Sequence, residues 1–391
     1  MKLERFLLGA AGLASLAYAG WRWYETAGVL RDPQPPLPPD PKAYGRIRRT
    51  LTATGALRAA ASTLAFAYGP PASLAPRALR PMPDWARPAV LAAAATLAGS
   101  ALDGGIAFIE EHELERRFGL SDQSARAWAI DYIKATLLGA GVSAVLATLG
   151  GAAVRRFPRM WPLAGALGLI PLFVLANVVV PIYVLPLFNR FEPLHGPLET
   201  RIRELAARYG VGDAEILRMD MSRQTKKANA FVAGLGSTHR IVLGDTLIEH
   251  FPEDEILFVV AHEIGHYVHR DTWRMVAAAE LASIGALAAA ALTSARSADD
   301  GTARLLRIYA ALATAMQCMR PALNAFSRSR EWAADRFGRA ATQDPASGAR
   351  AFRRLRDQNL ADEDVPAWYE FFFGSHPSLG RRITELERAT P

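Results

Sequence analysis

The sequence has a single cysteine and comparatively few charged residues. Its 391 residues include a single cysteine, Cys318, so no disulfide can form within the chain and a cysteine-rich zinc ribbon is excluded. Charged residues make up only 21% of the chain and apolar residues 51%, a composition that excludes a disordered protein. The net charge of +7 comes from scattered arginines rather than from a basic arm, so we expect no nucleic-acid partner. A metal site in this chain has to use histidine and carboxylate ligands.

Long uncharged stretches divide the sequence. Residues 160–189 and 135–154 contain no charged side chain over 30 and 20 positions. A stretch of about 20 apolar residues is long enough to cross the ~30 Å hydrocarbon core of a bilayer. Counting every stretch of this kind gives candidate spans at 5–21, 51–69, 88–109, 132–154, 162–186, 274–295 and 304–325. The sequence therefore predicts a mainly α-helical, polytopic membrane helix bundle with about seven spans in the lipid bilayer.

The first of these stretches has two interpretations. Ala17-Tyr18-Ala19 has the pattern of small residues that a signal peptidase cleaves, which favours a removable signal peptide. Trp21 and Trp23 are typical of an aromatic belt at a membrane interface, which favours an uncleaved first membrane helix. Both interpretations stay open at this point.

Two polar blocks interrupt the apolar regions. In the first block, residues 215–221, 228–235 and 240–243 are rich in apolar and β-branched residues and are broken by Gly and Ser, which predicts short strands in a small sheet. The predicted parts are an N-terminal membrane region at 1–186, a polar domain at 187–273, two further spans within 274–325 and a C-terminal part of the polar domain at 326–391.

The clearest chemical motif is His262-Glu263-Ile264-Gly265-His266. On an α-helix, two histidines four residues apart lie on one face and can bind the same metal ion at about 2.0–2.1 Å. Glu263 lies beside that face, where it can take a proton from a water molecule at the ion and pass it to a leaving amine. The acidic residues after Pro252 and the apolar run that follows them predict a buried helix around the motif.

A catalytic zinc generally needs a third protein ligand, which in this chain has to be a downstream carboxylate. Glu280 is one candidate, but it lies within an apolar span. Glu331 is favoured, because the two spans between it and the histidines return the chain to the same side of the membrane. Asp335, one helical turn after Glu331, is expected to accept a hydrogen bond from a ligand imidazole.

These motifs resemble those of the integral-membrane zinc peptidases of the CAAX prenyl protease type 1 family. The resemblance covers roughly residues 85–390. It is carried by the following segments: Glu110-Glu111-His112, Phe118-Gly119-Leu120, Pro181, the run from Pro186 to Phe191, Asn229-Ala230-Phe231, the run from Arg240 to Leu247, the motif helix, Glu331 with Asp335, and Ser375-His376-Pro377. It implies a gluzincin-like metallopeptidase domain that contains a small β-sheet and holds one Zn²⁺ per chain.

The resemblance also implies roles for residues outside the metal motif. Asn229, Ala230 and Phe231 would belong to the edge strand that pairs with an extended substrate. His376 would face the scissile carbonyl and stabilise the developing oxyanion. Arg382 would support either the substrate or the architecture of the site.

The expected activity is hydrolysis of peptide bonds by a membrane-embedded zinc endopeptidase. The expected substrates are CAAX-type or other hydrophobic, lipid-bearing C-terminal peptides, prenylated or inserted in the membrane. A broad-specificity quality-control protease for membrane proteins is an alternative, and a non-catalytic membrane scaffold is another. The intact Glu263 argues against the scaffold.

The orientation of the chain rests on a weak signal. The short loops carry equal numbers of basic residues on the two sides, so they do not decide between the two orientations. The basic content of the polar blocks favours a cell (inner) membrane location with the catalytic domain in the cytoplasm.

Overall fold

The computed structural model of the protein describes Gly20 and residues 39–234, 238–294 and 301–389. The predicted span at 5–21 otherwise lies outside the described residues. The α-helices of the described part are α1 (Pro41–Tyr68), α2 (Pro70–Leu79), α3 (Arg87–Ala107), α4 (Leu114–Arg117), α5 (Ala125–Arg156), α6 (Trp161–Val179), α7 (Pro197–Ala207), α8 (Asp245–His250), α9 (Glu253–Val268), α10 (Asp271–Ser294), α11 (Gly301–Thr342), α12 (Pro345–Gln358), α13 (Ala367–Phe373) and α14 (Leu379–Arg388). The strands are β1 (Phe191–Pro193), β2 (Glu215–Met219), β3 (Ala230–Ala233) and β4 (Arg240–Gly244).

Four helical segments in the described part are long and apolar enough to cross a membrane, and they lie at Arg87–Arg117, Ala125–Arg156, Trp161–Leu187 and Asp271–Thr293. Their outer faces expose large apolar side chains such as Leu137, Val145 and Leu149, a surface that suits lipid. The predicted spans at 51–69 and 304–325 lie on α1 and α11, which are interrupted by arginine and are not among the four. The mainly α-helical membrane bundle is confirmed, while the division into domains stays a prediction.

Two of the membrane helices end in π-helical turns. The turn Phe108–Glu113 follows α3 and carries the Glu110-Glu111-His112 segment, and the turn Val180–Val184 follows α6. Such turns insert an extra residue into a helix and often occur near functional sites.

The small sheet has the strand order β1-β2-β4-β3. β2 and β4 are parallel at its centre, and β3 pairs antiparallel with β4 and forms one edge. The three predicted strands are present in the described part. The short β1 was not expected, because three residues that end in proline give no strand signal.

Helix α9 carries the His-Glu-x-x-His motif and lies between two apolar clusters. Ile256, Val260 and Ile264 on one face pack in the same cluster as Ile241 and Leu243 of β4. Phe258 on another face packs against α12 and α14. The helix begins directly after Pro252, as predicted, and its first turn is acidic, which complements the helix dipole. This burial fixes the orientation of the motif residues.

Two glycines allow α9 and α11 to pack closely. A Cβ atom added at Gly265 of α9 would lie 3.2 Å from the Cα of Ala334 and 3.1 Å from the Cβ of Phe337. A Cβ atom added at Gly338 of α11 would lie 3.4 Å from the backbone nitrogen of His262. The helix crossing therefore depends on the absence of a side chain, above all at Gly265.

A buried polar cluster connects the membrane region to the sheet. The Lys227 ammonium lies 2.7 Å from Glu115 Oε2 and donates to the Tyr44 hydroxyl at 2.8 Å. Tyr44 in turn donates to Glu115 Oε1 at 2.6 Å. Because Lys227 precedes β3 by a few residues, this cluster attaches the edge strand to α1 and α4.

Candidate metal centre

The two motif histidines of α9 point their Nε2 atoms toward Glu331 of α11. The Nε2 atom of His262 lies 3.5 Å from Glu331 Oε2, and that of His266 lies 3.4 Å from Glu331 Oε1. The two rings are nearly perpendicular, with centroids 4.9 Å apart. The structure thus brings together the three residues that the sequence predicts as ligands, and Glu280 is not among them.

This group has the properties of a cation site. In the described part of the chain, His262, His266 and Glu331 form the one group of three such residues whose ligand atoms all lie within 4.8 Å of one another. Glu331 Oε2 is buried and has no close hydrogen-bond donor among the described residues, since His262 Nε2 and Arg382 Nη1 both lie 3.5 Å away. Two imidazole nitrogens and one carboxylate are a donor set that zinc accepts in catalytic sites. The residues therefore fit the metal that the motif predicts.

The histidines and the carboxylates of this group stabilise each other's charged forms. Burial alone would lower the pKa of His262, but hydrogen bonds to Asp335 and Glu331 outweigh burial and raise the pKa to about 9. Burial would raise the pKa of Glu331, yet its contacts with His262 and His266 hold that pKa far below the ordinary value. The carboxylate is therefore ionised and available to a cation.

Asp335 and Arg382 lie behind His262. The Oδ1 atom of Asp335 lies 2.9 Å from His262 Nδ1, the contact that the sequence predicts for a ligand imidazole. Arg382 donates to both Asp335 oxygens, at 2.8 and 2.6 Å, and its guanidinium stacks 4.1 Å from the centre of the Phe352 ring. Because Arg382 is buried and engaged in this way, its position favours the architectural role over direct contact with a substrate.

Glu263 lies between the histidines and the edge strand. Burial raises the pKa of Glu263 above that of an ordinary glutamate, while the nearby His262 and His266 lower it. The backbone N–H of Val232 in β3 donates to the Glu263 carboxylate. A carboxyl group with a raised pKa can accept and return a proton near neutral pH, as a general base requires.

His376 approaches the group from the solvent side. Its Nε2 atom lies 3.3 Å from Glu331 Oε1, and its side chain is 62% exposed. The Ser375 hydroxyl lies 2.9 Å from His376 Nδ1. An exposed imidazole at this distance can reach a substrate bound beside the histidines.

The predicted substrate residues lie at the free edge of the sheet. Asn229 is exposed, and its carbonyl oxygen accepts a hydrogen bond from Gly244. Ala230 and Phe231 pair with Leu243 and Val242 of β4. The other edge of β3, away from β4, faces Glu263 at Val232.

Two contacts at the site were not anticipated from the sequence. The first is the Val232 N–H bond to Glu263, which depends on how the sheet docks on α9. The second is Asp271, whose Oδ2 atom lies 3.0 Å from His266 Nδ1. An acidic residue five positions after the second histidine was the one available signal, and it gives no direction for the side chain.

Comparisons with known proteins agree with this geometry. The model of peptidase family M48 matches residues 194–390, and the model described as CAAX prenyl protease N-terminal, five membrane helices, matches residues 50–190. The second match begins at residue 50, so the similarity reaches further toward the N-terminus than the sequence motifs indicate. Family M48 uses a metal cofactor, generally zinc.

Individual relatives cover most of the chain. The uncharacterized metalloprotease YhfN of Bacillus subtilis is 28% identical over 292 residues, which cover 71% of this chain and 68% of that protein. CAAX prenyl protease 1 of Saccharomyces cerevisiae is 27% identical over 318 residues, which cover 73% of this chain and 69% of that protein. The crystal structure of S. mikatae Ste24p superposes with a TM-score of 0.77 over 98% of both chains at 22% identity, a likeness of fold.

The metallopeptidase match spans α9, strands β2 to β4 and the part of α11 that carries Glu331, and the membrane-helix match spans the helices that precede them. The chain therefore belongs to peptidase family M48, and it is an integral-membrane metalloprotease that acts on peptide or protein substrates.

Proposed function

We propose that the protein is a zinc endopeptidase that cuts extended peptides next to the membrane, at a hydrophobic or lipid-bearing C-terminal segment of the CAAX type. His262, His266 and Glu331 would hold one zinc ion, and Asp335 and Arg382 would hold His262 in place. Zinc bound there would supply Lewis-acid polarisation of the scissile carbonyl and of a water molecule. The single observation that carries the proposal is the contact between the edge strand and Glu263 beside this ligand group.

The chain's own residues account for the proton transfers. Glu263 takes a proton from the attacking water, because it is half-buried, lies beside both histidines and has a raised pKa. It then returns the proton to the leaving amine. His376 donates a hydrogen bond to the oxyanion from the solvent side, since its imidazole is exposed and points at Glu331.

Substrate would bind by β-augmentation. Among the described residues β3 pairs with β4 alone, so its other edge is free to pair with an extended peptide. Ala230 and Phe231 belong to this strand and Asn229 directly precedes it, so all three would lie beside a peptide bound along the edge. The Val232 N–H bond to Glu263 supports this arrangement, because a peptide on the same edge would run directly past the base.

The preference for hydrophobic substrates follows from the position of the site. α10, which has the length and composition of a membrane span, begins five residues after His266. Glu331 lies within 3.5 Å of both histidines, so it lies close to the same end of α10. A substrate with a lipid or an apolar tail would be held by the membrane while its backbone reaches β3.

We also propose that the site faces the cytoplasm of a cell with the protein in its inner membrane, in line with the basic content of the polar blocks. Protease accessibility of the loop at 359–366 in right-side-out and inverted vesicles tests this orientation. Cleavage in inverted vesicles alone is the expected result, and cleavage in right-side-out vesicles alone would contradict it.

The substrate class can be tested with a matched pair of peptides. A farnesylated peptide with a CAAX ending and its unprenylated twin are incubated with the zinc-loaded protein in liposomes, beside Glu263→Gln as the control. We expect preferred cleavage of the farnesylated peptide, and a loss of about 10²–10⁴-fold in Glu263→Gln. Equal cleavage of both peptides would contradict the CAAX-type preference and favour a broad quality-control protease. Equal rates for wild type and Glu263→Gln would contradict the assignment of the base.

A further inference from the structure

We infer that Asp271 is the positioning residue of His266, a role that rests on the proposed zinc site. Its Oδ2 atom lies 3.0 Å from His266 Nδ1, and the carboxylate is 4% exposed. When a neutral His266 ring donates from Nδ1 to Asp271, its Nε2 atom carries no proton and lies 3.4 Å from Glu331 Oε1. Asp271 therefore selects the tautomer and the ring orientation that a metal ligand needs.

The backbone explains how a residue so close in sequence reaches the ring. α9 ends at Val268, and Arg270 adopts a left-handed conformation with φ 54°. This residue separates the two helices, and Asp271 is the first residue of α10. The side chain thus lies at the corner between the motif helix and a membrane helix, and it points back at His266.

The second oxygen of Asp271 lies near α11, the helix that carries the third ligand, Glu331. Oδ1 is buried and makes no hydrogen bond within the described part of the chain, but it lies 3.7 Å from an Arg274 nitrogen and 3.8 Å from an Arg330 nitrogen. Arg330 directly precedes Glu331 on α11. One carboxylate therefore contacts residues of α9, α10 and α11 where these helices meet at the ligands.

The two ligand histidines are held in the same way. His262 Nδ1 lies 2.9 Å from Asp335, and His266 Nδ1 lies 3.0 Å from Asp271. Each imidazole thus has its own buried carboxylate on the side away from Glu331. Asp335 comes from the helix of the third ligand, whereas Asp271 comes from the membrane helix, so the start of α10 takes part in shaping the metal site.

The test measures zinc affinity of the full-length protein in detergent, by competition with a chromophoric chelator at one fixed pH. Asp271→Ala removes the acceptor, and Asp271→Asn keeps a weaker, neutral acceptor of the same shape. Arg274→Gln is the matched control, because it changes a neighbour of the other Asp271 oxygen. The ligand-field absorption of the cobalt-loaded protein and the unfolding midpoint of the metal-free protein are recorded for each variant.

We expect Asp271→Ala to bind zinc about 10–100-fold more weakly, with an altered cobalt spectrum. Asp271→Asn should lie between Asp271→Ala and wild type, and Arg274→Gln should stay within about twofold of wild type by the same reasoning. Equal zinc affinity in Asp271→Ala and wild type would overturn the inference. So would an equal loss in Asp271→Ala and Arg274→Gln, or a fall in the metal-free midpoint with no change in affinity. If wild type bound zinc no more tightly than His262→Ala, the proposed function itself would fail.

Discussion

Gly265 offers a sharp test of how the ligands are brought together. It lies on α9 between the two ligand histidines and faces Ala334, the residue before Asp335. In Gly265→Ala, the new methyl group would lie 3.2 Å from the Cα of Ala334 and 3.1 Å from Phe337 Cβ. Because the first of these atoms belongs to the backbone, the two helices have to move apart by a few tenths of an ångström.

Two opposing effects determine how Gly265→Ala changes the free energy of unfolding. Replacing glycine by alanine inside a helix stabilises it by about 0.8–1.0 kcal/mol. Crowding in a packed interior costs about 1–3 kcal/mol. Gly338→Ala is the matched control, because its methyl group would lie 3.4 Å from His262 and Phe258, an ordinary contact distance. The helix-propensity gain is common to both variants, so their difference measures the crowding at Gly265 alone.

We expect Gly265→Ala to be less stable than Gly338→Ala by about 1–3 kcal/mol. It should also bind zinc more weakly, because moving α9 away from α11 separates His266 from Glu331. The assays are denaturant unfolding of the metal-free protein in detergent and zinc titration against a chelator. Equal stability and equal zinc affinity in the two variants would refute the argument that close helix approach assembles the site.

Two further predictions concern the edge strand and the polar cluster. Val232→Pro removes the N–H group that donates to Glu263 without removing a bond to β4. It should lower kcat/KM by about tenfold to a hundredfold at unchanged zinc affinity, since hydrogen bonds to charged groups contribute about 1.5–3 kcal/mol. An unchanged kcat/KM would contradict this role of the Val232 N–H group. Lys227→Met removes the closer of the two cations of Glu115 and leaves Arg48, whose Nη1 atom lies 3.9 Å from Glu115 Oε1. Because the Lys227 side chain is 27% exposed, the loss of unfolding free energy should be about 2 kcal/mol, below the ~3–5 kcal/mol of a fully buried pair. The double variant Lys227→Met/Glu115→Gln should recover part of this loss. Full stability of the single variant would show that the pair contributes nothing.

The sequence predicts the features that depend on local spacing. The motif helix, the strands around β2 to β4 and the four most apolar spans each follow from a short pattern of residue types. The choice of Glu331 over Glu280 needed one further argument, the even number of spans after His266. In the structure, α10 and α11 pack against each other, and α11 places Glu331 beside the histidines.

Other features depend on contacts that no local pattern encodes. Asp271 reaches His266 across the break between α9 and α10 at Arg270, and the residue types in this segment do not reveal the left-handed conformation of Arg270. The π-helical turn at Phe108–Glu113 differs from an α-helix by a single hydrogen-bond step, which side-chain periodicity does not distinguish over six residues. The docking of β3 against Glu263 is a tertiary contact between segments that are each predictable on their own.

The most direct test of the account is a comparison of Glu331→Gln with Glu280→Gln, the two candidates for the third ligand. Each variant is purified in detergent, and its zinc content, zinc affinity and peptide cleavage are measured beside wild type. The account predicts that Glu331→Gln loses tight zinc binding and cleavage, whereas Glu280→Gln keeps both. Tight zinc binding and full turnover in Glu331→Gln would contradict it.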